Sequence, residues 1–201
     1  MSRLIPLLLL ILGFGVHAGV DELAIDSDLQ GKYILAIVVH DQRPQVLRGE
    51  ATEATIGSYA GSIFSPARKP TLTNTEQALA EALAEGLRKS FMKHKWLGVA
   101  VIPTKAGYGE HEILDRIRRG GSKRSLLITI DKLWAESQKD TEVDYRLRVS
   151  VRNPRAQELA KAVLEMNRIV RDWGDDAVAN VLSTQLTALL ARPEFVAALK
   201  D

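Results

Sequence analysis

Hydrophobic and polar positions divide the chain into segments of two different periods. Tyr33 to Val39 (YILAIVV) is an unbroken, β-branched apolar run between Gly31 and the turn-forming Asp41-Gln42-Arg43-Pro44. That is the pattern of a strand buried on both faces, and so of a central strand. Ala54 to Phe64 alternates small and larger residues around Gly57 and Gly61, a weaker strand pattern with room for bulges. Beyond Pro66 and Pro70, Thr73-x-x-Glu76 has the form of a capping box. Leu79, Ala82, Leu83, Leu87 and Phe91 then recur at helical spacing, with Gly86 on the same face, which predicts a helix packed on a sheet.

Leu97 to Ile102 reads as a short strand ended by Pro103, and Glu110 to Arg119 as a short helix stopped by Gly120-Gly121. Ser125 to Trp134 is a further strand. From Glu142 to Arg152, Val143, Tyr145, Leu147, Val149 and Val151 face one way and Asp144, Arg146, Arg148 and Ser150 the other, so one face of that strand meets water. Asn153-Pro154-Arg155 forms a turn into Leu159 to Val170, whose apolar residues fit either a strand or a helix stripe. The hairpin-like turn and the lack of an N-cap favour the strand. Gly174-Asp175-Asp176 opens a last helix carrying Val178, Val181, Leu182, Leu186 and Leu189, and Pro193 opens a tail helix. The order β-β-α-β-α-β-β-β-α predicts an α+β fold, a mixed, mostly antiparallel sheet with helices packed on one face. Residues 19–201 are expected to form a single domain.

The start of the chain has a different character. Met1-Ser2-Arg3 is followed by an uncharged stretch from Leu4 to Val16 and by Val16-His17-Ala18 before Gly19. This is the form of an export signal, residues 1–18, cleaved near Ala18/Gly19 to leave a periplasmic protein. The stretch is short of the roughly 20 apolar residues a membrane-spanning helix needs, so no stable transmembrane segment is expected after processing.

Composition narrows the chemistry. The 201 residues hold 27 Lys+Arg, 25 Asp+Glu and no cysteine, which excludes disulfides, thiolate metal sites and cysteine nucleophiles. A nearly neutral exported chain lacks the concentrated basic surface that nucleic acid requires. His111-Glu112-x-x-Asp115 falls short of a zinc-binding pair because Asp115 stands at the second histidine position. Gly57-Ser58-Tyr59-Ala60-Gly61 has the wrong offset for a nucleophile elbow, and Gly107-Tyr108-Gly109 lacks the rest of a phosphate loop. Neither a metal nor a cofactor is expected. The densest charge feature is Arg116, Arg118, Arg119, Lys123 and Arg124, five cations in nine residues around Gly120-Gly121. It reads either as a dock for an anionic envelope surface or as a helix C-terminus running into a solvated loop.

Val38-Val39-His40-Asp41-Gln42-Arg43, then Ile56-Gly57, an alanine- and leucine-rich helix, a strand near Gly98 and a hairpin beginning Leu126-Leu127-Ile128-Thr129-Ile130 together resemble the YajG-like envelope lipoproteins. The resemblance implies a small α+β envelope domain without known catalysis. The family's lipidated cysteine is replaced by Gly19, which leaves a soluble periplasmic form. It also singles out Asp41-x-Arg43 after the first strand as a candidate binding feature; the structural alternative is that Asp41 satisfies turn amides and Arg43 bridges to a neighbouring element. Two functions follow as expectations. One is a non-enzymatic accessory module binding an envelope partner, whether protein, lipid headgroup or glycan. The alternative is an exported hydrolase or carbohydrate-acting enzyme assembled from carboxylates such as Asp41, Glu112 or Asp131.

Overall fold

A computed structural model describes residues 29–60, 69–72, 77–137, 140–170 and 175–200. The expected export signal, the capping box at 73–76 and Trp173 lie outside these residues. The elements run β1 (Ile34–Asp41), α1 (Pro44–Leu47), β2 (Gly57–Tyr59), α2 (Leu79–Lys93), β3 (Gly98–Val101), α3 (Glu110–Gly120), β4 (Arg124–Ser137), β5 (Thr141–Arg152), β6 (Glu158–Val170), α4 (Asp175–Leu190) and α5 (Pro193–Lys200). They form an α+β fold around one mixed sheet of order β3-β1-β4-β5-β6, with β2 also pairing with β4. β1 lies parallel between β3 and β4, which explains why its residues are apolar without alternation. The long β4–β5–β6 meander is antiparallel and supplies most of the sheet.

The segment with two readings is a strand. β6 follows β5 through a turn in which Asn153 Oδ1 accepts from the backbone N–H groups of Arg155 and Gln157 at 2.9 and 3.0 Å, while Ala156 takes a left-handed φ of 61°. Two other elements differ from expectation. Of the strand expected over Ala54 to Phe64, whose residues 61–64 lie outside the described ones, the described part forms Gly57–Tyr59, and the chain presses there against β4: a Cβ on Gly57 would sit 1.9 Å from the carbonyl oxygen of Ala135. And α2 begins at Leu79 with Ala78 as its N-cap residue and no side-chain cap. Its first N–H is instead taken by the carbonyl of Glu53 at 2.9 Å.

The helices α2, α4 and α5 share the large core on one face with Leu35, Ile37, Val39, Leu126, Ile128 and the apolar side of β5. Helix α3 is the exception to the one-face expectation. Its Ile113 and Ile117 pack with Val38, Leu127 and Ala156 on the opposite face. Topology accounts for this. The chain leaves β1 outward to β3 through α2 and returns past β1 to β4 through α3. Two crossovers of the same hand in opposite directions must use opposite faces of the sheet.

Candidate functional site

Among the described residues α3 covers the β1–β4 part of its face, and the polar side of β4, β5 and β6 beside it stays open. Strand pairing sets its side chains in rows: Thr129, Arg148 and Val163 lie side by side, and Leu127, Ser150 and Lys161 in the next row. Glu110 and Ile113 of α3 wall one side, His40 and Gln42 close the end at β1, and the groove encloses about 590 Å³. That is within the range of small-ligand and peptide clefts.

The cations of the groove are already engaged. Arg148 donates through Nε and Nη2 to both oxygens of Asp131 at 2.8 and 2.9 Å, and this hydrogen bonding raises its pKa further above the ordinary arginine value. Lys161 contacts Glu158 at 3.1 Å. Arg152 donates to the Ala156 carbonyl at 2.9 Å and reaches Glu158 at 3.5 Å. A phosphate entering the groove would have to compete with these carboxylates for each cation, although the exposed pairs are individually weak.

His40 is 4% exposed. The amide of Gln42 donates to its Nε2 at 2.8 Å and to the Tyr108 carbonyl at 3.2 Å, so the neutral imidazole carries its proton on Nδ1. Burial pushes its pKa below the ordinary value of 6.5, against smaller opposing contributions from the Tyr108 backbone and Asp41. An unfolded chain therefore takes up a proton that the folded chain refuses. Stability is full above the unfolded pKa and falls as pH drops through it, levelling off only below the folded value. His40→Gln is expected to remove this component: the loss of urea midpoint between about pH 7.5 and pH 5.5 should be smaller in the variant than in the parent. Equal losses in both proteins would show that His40 does not titrate this way.

Asp41 and Arg43 lie at the other face and form a closed network. Arg43 is 0% and Asp41 1% exposed. Arg43 Nε donates to Asp41 Oδ1 at 2.9 Å and Nη2 to Oδ2 at 2.7 Å, while the Arg43 backbone N–H donates to Oδ1 at 3.1 Å. The remaining donors reach the carbonyls of Thr55 and Glu53. The same Glu53 carbonyl receives the first N–H of α2, so Arg43 ties β1, the approach to β2 and the start of α2 together.

The five cations of the basic run do not converge on one site; each has local contacts of its own. Arg116 lies over the Tyr108 ring at 4.4 Å and donates to Tyr108 Oη at 2.9 Å and to Glu112 at 3.2 Å. Arg118 pairs with Asp115, and Arg119 reaches the Asp115 carbonyl at 3.4 Å. Lys123 lies 5.4 Å from the Tyr33 ring, and Arg124 donates to the Ala198 carbonyl in the last turn of α5 at 2.9 Å. Nor do the three carboxylates of the hydrolase alternative converge. Asp41 is bound to Arg43 on the α2 side, Asp131 to Arg148 on the α3 side, and Glu112 to Arg116 on α3 itself. Of the groove residues, His40, Gln42 and Thr129 fall within the YajG-like motifs without being marked there as a site, and Ser150, Lys161 and Val163 belong to no motif. The one signal is the polar face of Glu142 to Arg152.

No family model matches the chain, and no curated protein matches it significantly. Solved structures with a similar course include a DUF330 protein from Xanthomonas campestris, at 11% identity, covering 81% of this chain and 80% of that one with a TM-score of 0.44. Lipoprotein GNA1162 from Neisseria meningitidis matches at 10% identity over 82% of this chain and 99% of that one, TM-score 0.43. A PelC dodecamer from Paraburkholderia phytofirmans matches at 8% identity over 85% and 90%, TM-score 0.48. None of these three carries the YajG name, and at such identities and TM-scores they bear no functional weight; the geometry of this chain does.

Proposed function

We propose that this chain is a non-enzymatic accessory module of the bacterial cell envelope, exported to the periplasm, that holds a segment of a partner protein in the groove beside α3. The observation that carries this reading is the groove itself: about 590 Å³, floored by Thr129, Ser150 and Val163 and bordered by cations that already have carboxylate partners. Hydroxyls and an apolar edge suit a polypeptide better than a lipid headgroup, which would need unpaired cations. The apolar stretch Leu4 to Val16 and the YajG-like order of motifs support the location. Among the described residues no helix is long and apolar enough to cross a membrane.

The absence of native cysteine makes a clean test available. Ser150→Cys carrying a short crosslinker should capture a discrete envelope protein in cells, and adding Arg148→Glu, which sets a carboxylate against Asp131, should lower that capture by about fivefold or more. Reversing Arg118, Arg119, Lys123 and Arg124 should leave capture unchanged. Loss with the four reversals alone, in a salt-sensitive way, would instead identify an anionic surface docked on the basic run.

A further inference from the structure

The outer edge of β6 is a second feature open to a partner among the described residues. β6 ends the sheet path, runs for 13 residues, and makes backbone bonds only to β5 among the described residues. Sheet edges are ordinarily blunted by shortness, proline or bulges. Here the pairing irregularity falls at the very start, where Arg152 meets Glu158, and the strand contains no proline. From Ala160 onward the edge is regular, and Val163 is 50% exposed beside it.

The order of side chains along that edge is self-complementary. On the α3 side β6 presents Lys161, Val163, Glu165 and Asn167 in turn, and on the helix side Ala160, Ala162, Leu164 and Met166. If a second copy runs antiparallel alongside, with the two-fold axis through Val163 and perpendicular to the sheet, Val163 meets itself and each Lys161 stands opposite a Glu165. The other face then sets Ala162 against Leu164 and Ala160 against Met166, small against large. Neighbouring registers lose this match. An axis at Lys161 or at Glu165 places like charges face to face, and an axis at Ala162 or Leu164 sets Val163 against a charged side chain. Cross-strand pairs directly opposite one another are the unit of sheet stabilisation, and opposed like charges are destabilising.

We propose that two copies of this chain associate by antiparallel addition of β6 to β6, centred on Val163, so that their sheets become one. The exposed contact between Lys161 and Glu158 is weak enough to be exchanged for the new pair. Lys161 and Val163 also line the groove, so the two grooves open on the same side and meet at the seam, and each is bordered by the other copy's Glu165. The association does not depend on the groove having an occupant.

Sedimentation equilibrium of the chain as the cell processes it tests this. The parent should dimerise. Lys161→Glu and Glu165→Lys, each turning two attractive pairs into repulsive ones, should each raise the dimer dissociation constant by about tenfold or more, and K161E combined with E165K should restore it. Circular dichroism of each variant checks that the fold is kept. A parent that stays monomeric at high concentration, single reversals that leave the dimer unchanged, or a double reversal that fails to restore it would each overturn the proposal. A monomeric Glu165→Lys variant, whose substitution lies outside the groove lining of its own chain, that still captures the partner through Ser150→Cys would leave the groove reading intact, so failures of the two are separable.

Discussion

Arg43→Ala is expected to cost about 3–5 kcal/mol of folding stability, the effect of leaving one charge of a buried pair without its partner. The geometry puts this substitution at the upper end. Removing the guanidinium strands the Asp41 carboxylate at 1% exposure and takes donors from the carbonyls of Thr55 and Glu53. Since Glu53 also accepts the first N–H of an α2 that has no side-chain cap, the start of α2 loses its fixed acceptor as well. Arg43→Lys should rescue little, because a single ammonium cannot reproduce a planar fork that reaches a carboxylate and two carbonyls at once. Asp41→Leu combined with Arg43→Met should recover much of the loss, because two apolar groups leave no orphaned charge. Chemical denaturation of the four proteins checks all three expectations. A cost for Arg43→Ala below about 1 kcal/mol, the range of exposed pairs, would show that the network is not a buried one.

Part of this network is legible in the residues alone. Asp41 and Arg43 follow an apolar run that ends in a turn, and a carboxylate two residues before an arginine there suggests amide capping and a bridge. What local pattern cannot supply is the acceptors, carbonyls ten and twelve residues further on. The same boundary between local and distant information runs through the fold. The continuous run of β1 and the strict alternation of β5 identify a central strand and a half-wet one, because burial on two faces or on one is written directly into period. β6 carries both periods, so its hairpin turn has to decide. The need for glycine at position 57 of β2 comes from the carbonyl of Ala135, a residue far along the chain, which leaves no room for a Cβ. The face taken by α3 follows from strand order, which periodicity does not encode. The groove is the extreme case: its floor takes one or two residues from each of three strands, and none alone has a residue type or spacing that marks a site. Conversely, the basic run is conspicuous in sequence and divides in space, since α3 ends at Gly121 in a left-handed conformation and the chain turns away before Lys123.

Ile117→Ala should show how lightly the groove wall is attached. Ile113 and Ile117 are the only buried side chains of α3, each 1% exposed, and the cluster they join on that face is small and separate from the main core. Truncating a fully buried isoleucine typically costs about 2–5 kcal/mol. Here one of the two buried side chains that anchor the helix is truncated, so the cost should fall on α3 before it falls on the molecule. The expected result is sub-global opening: amides of α3 lose hydrogen-exchange protection, while those of β1, β4 and β5, held by the core on the opposite face, keep most of theirs. Binding at the groove should weaken in parallel, because Glu110 and Ile113 form its wall, whereas association through β6, at the far edge of the sheet, should persist. Uniform loss of protection across all strands would instead mean that the two faces unfold as one cooperative unit, and α3 would then be an integral part of the core rather than a wall built onto it.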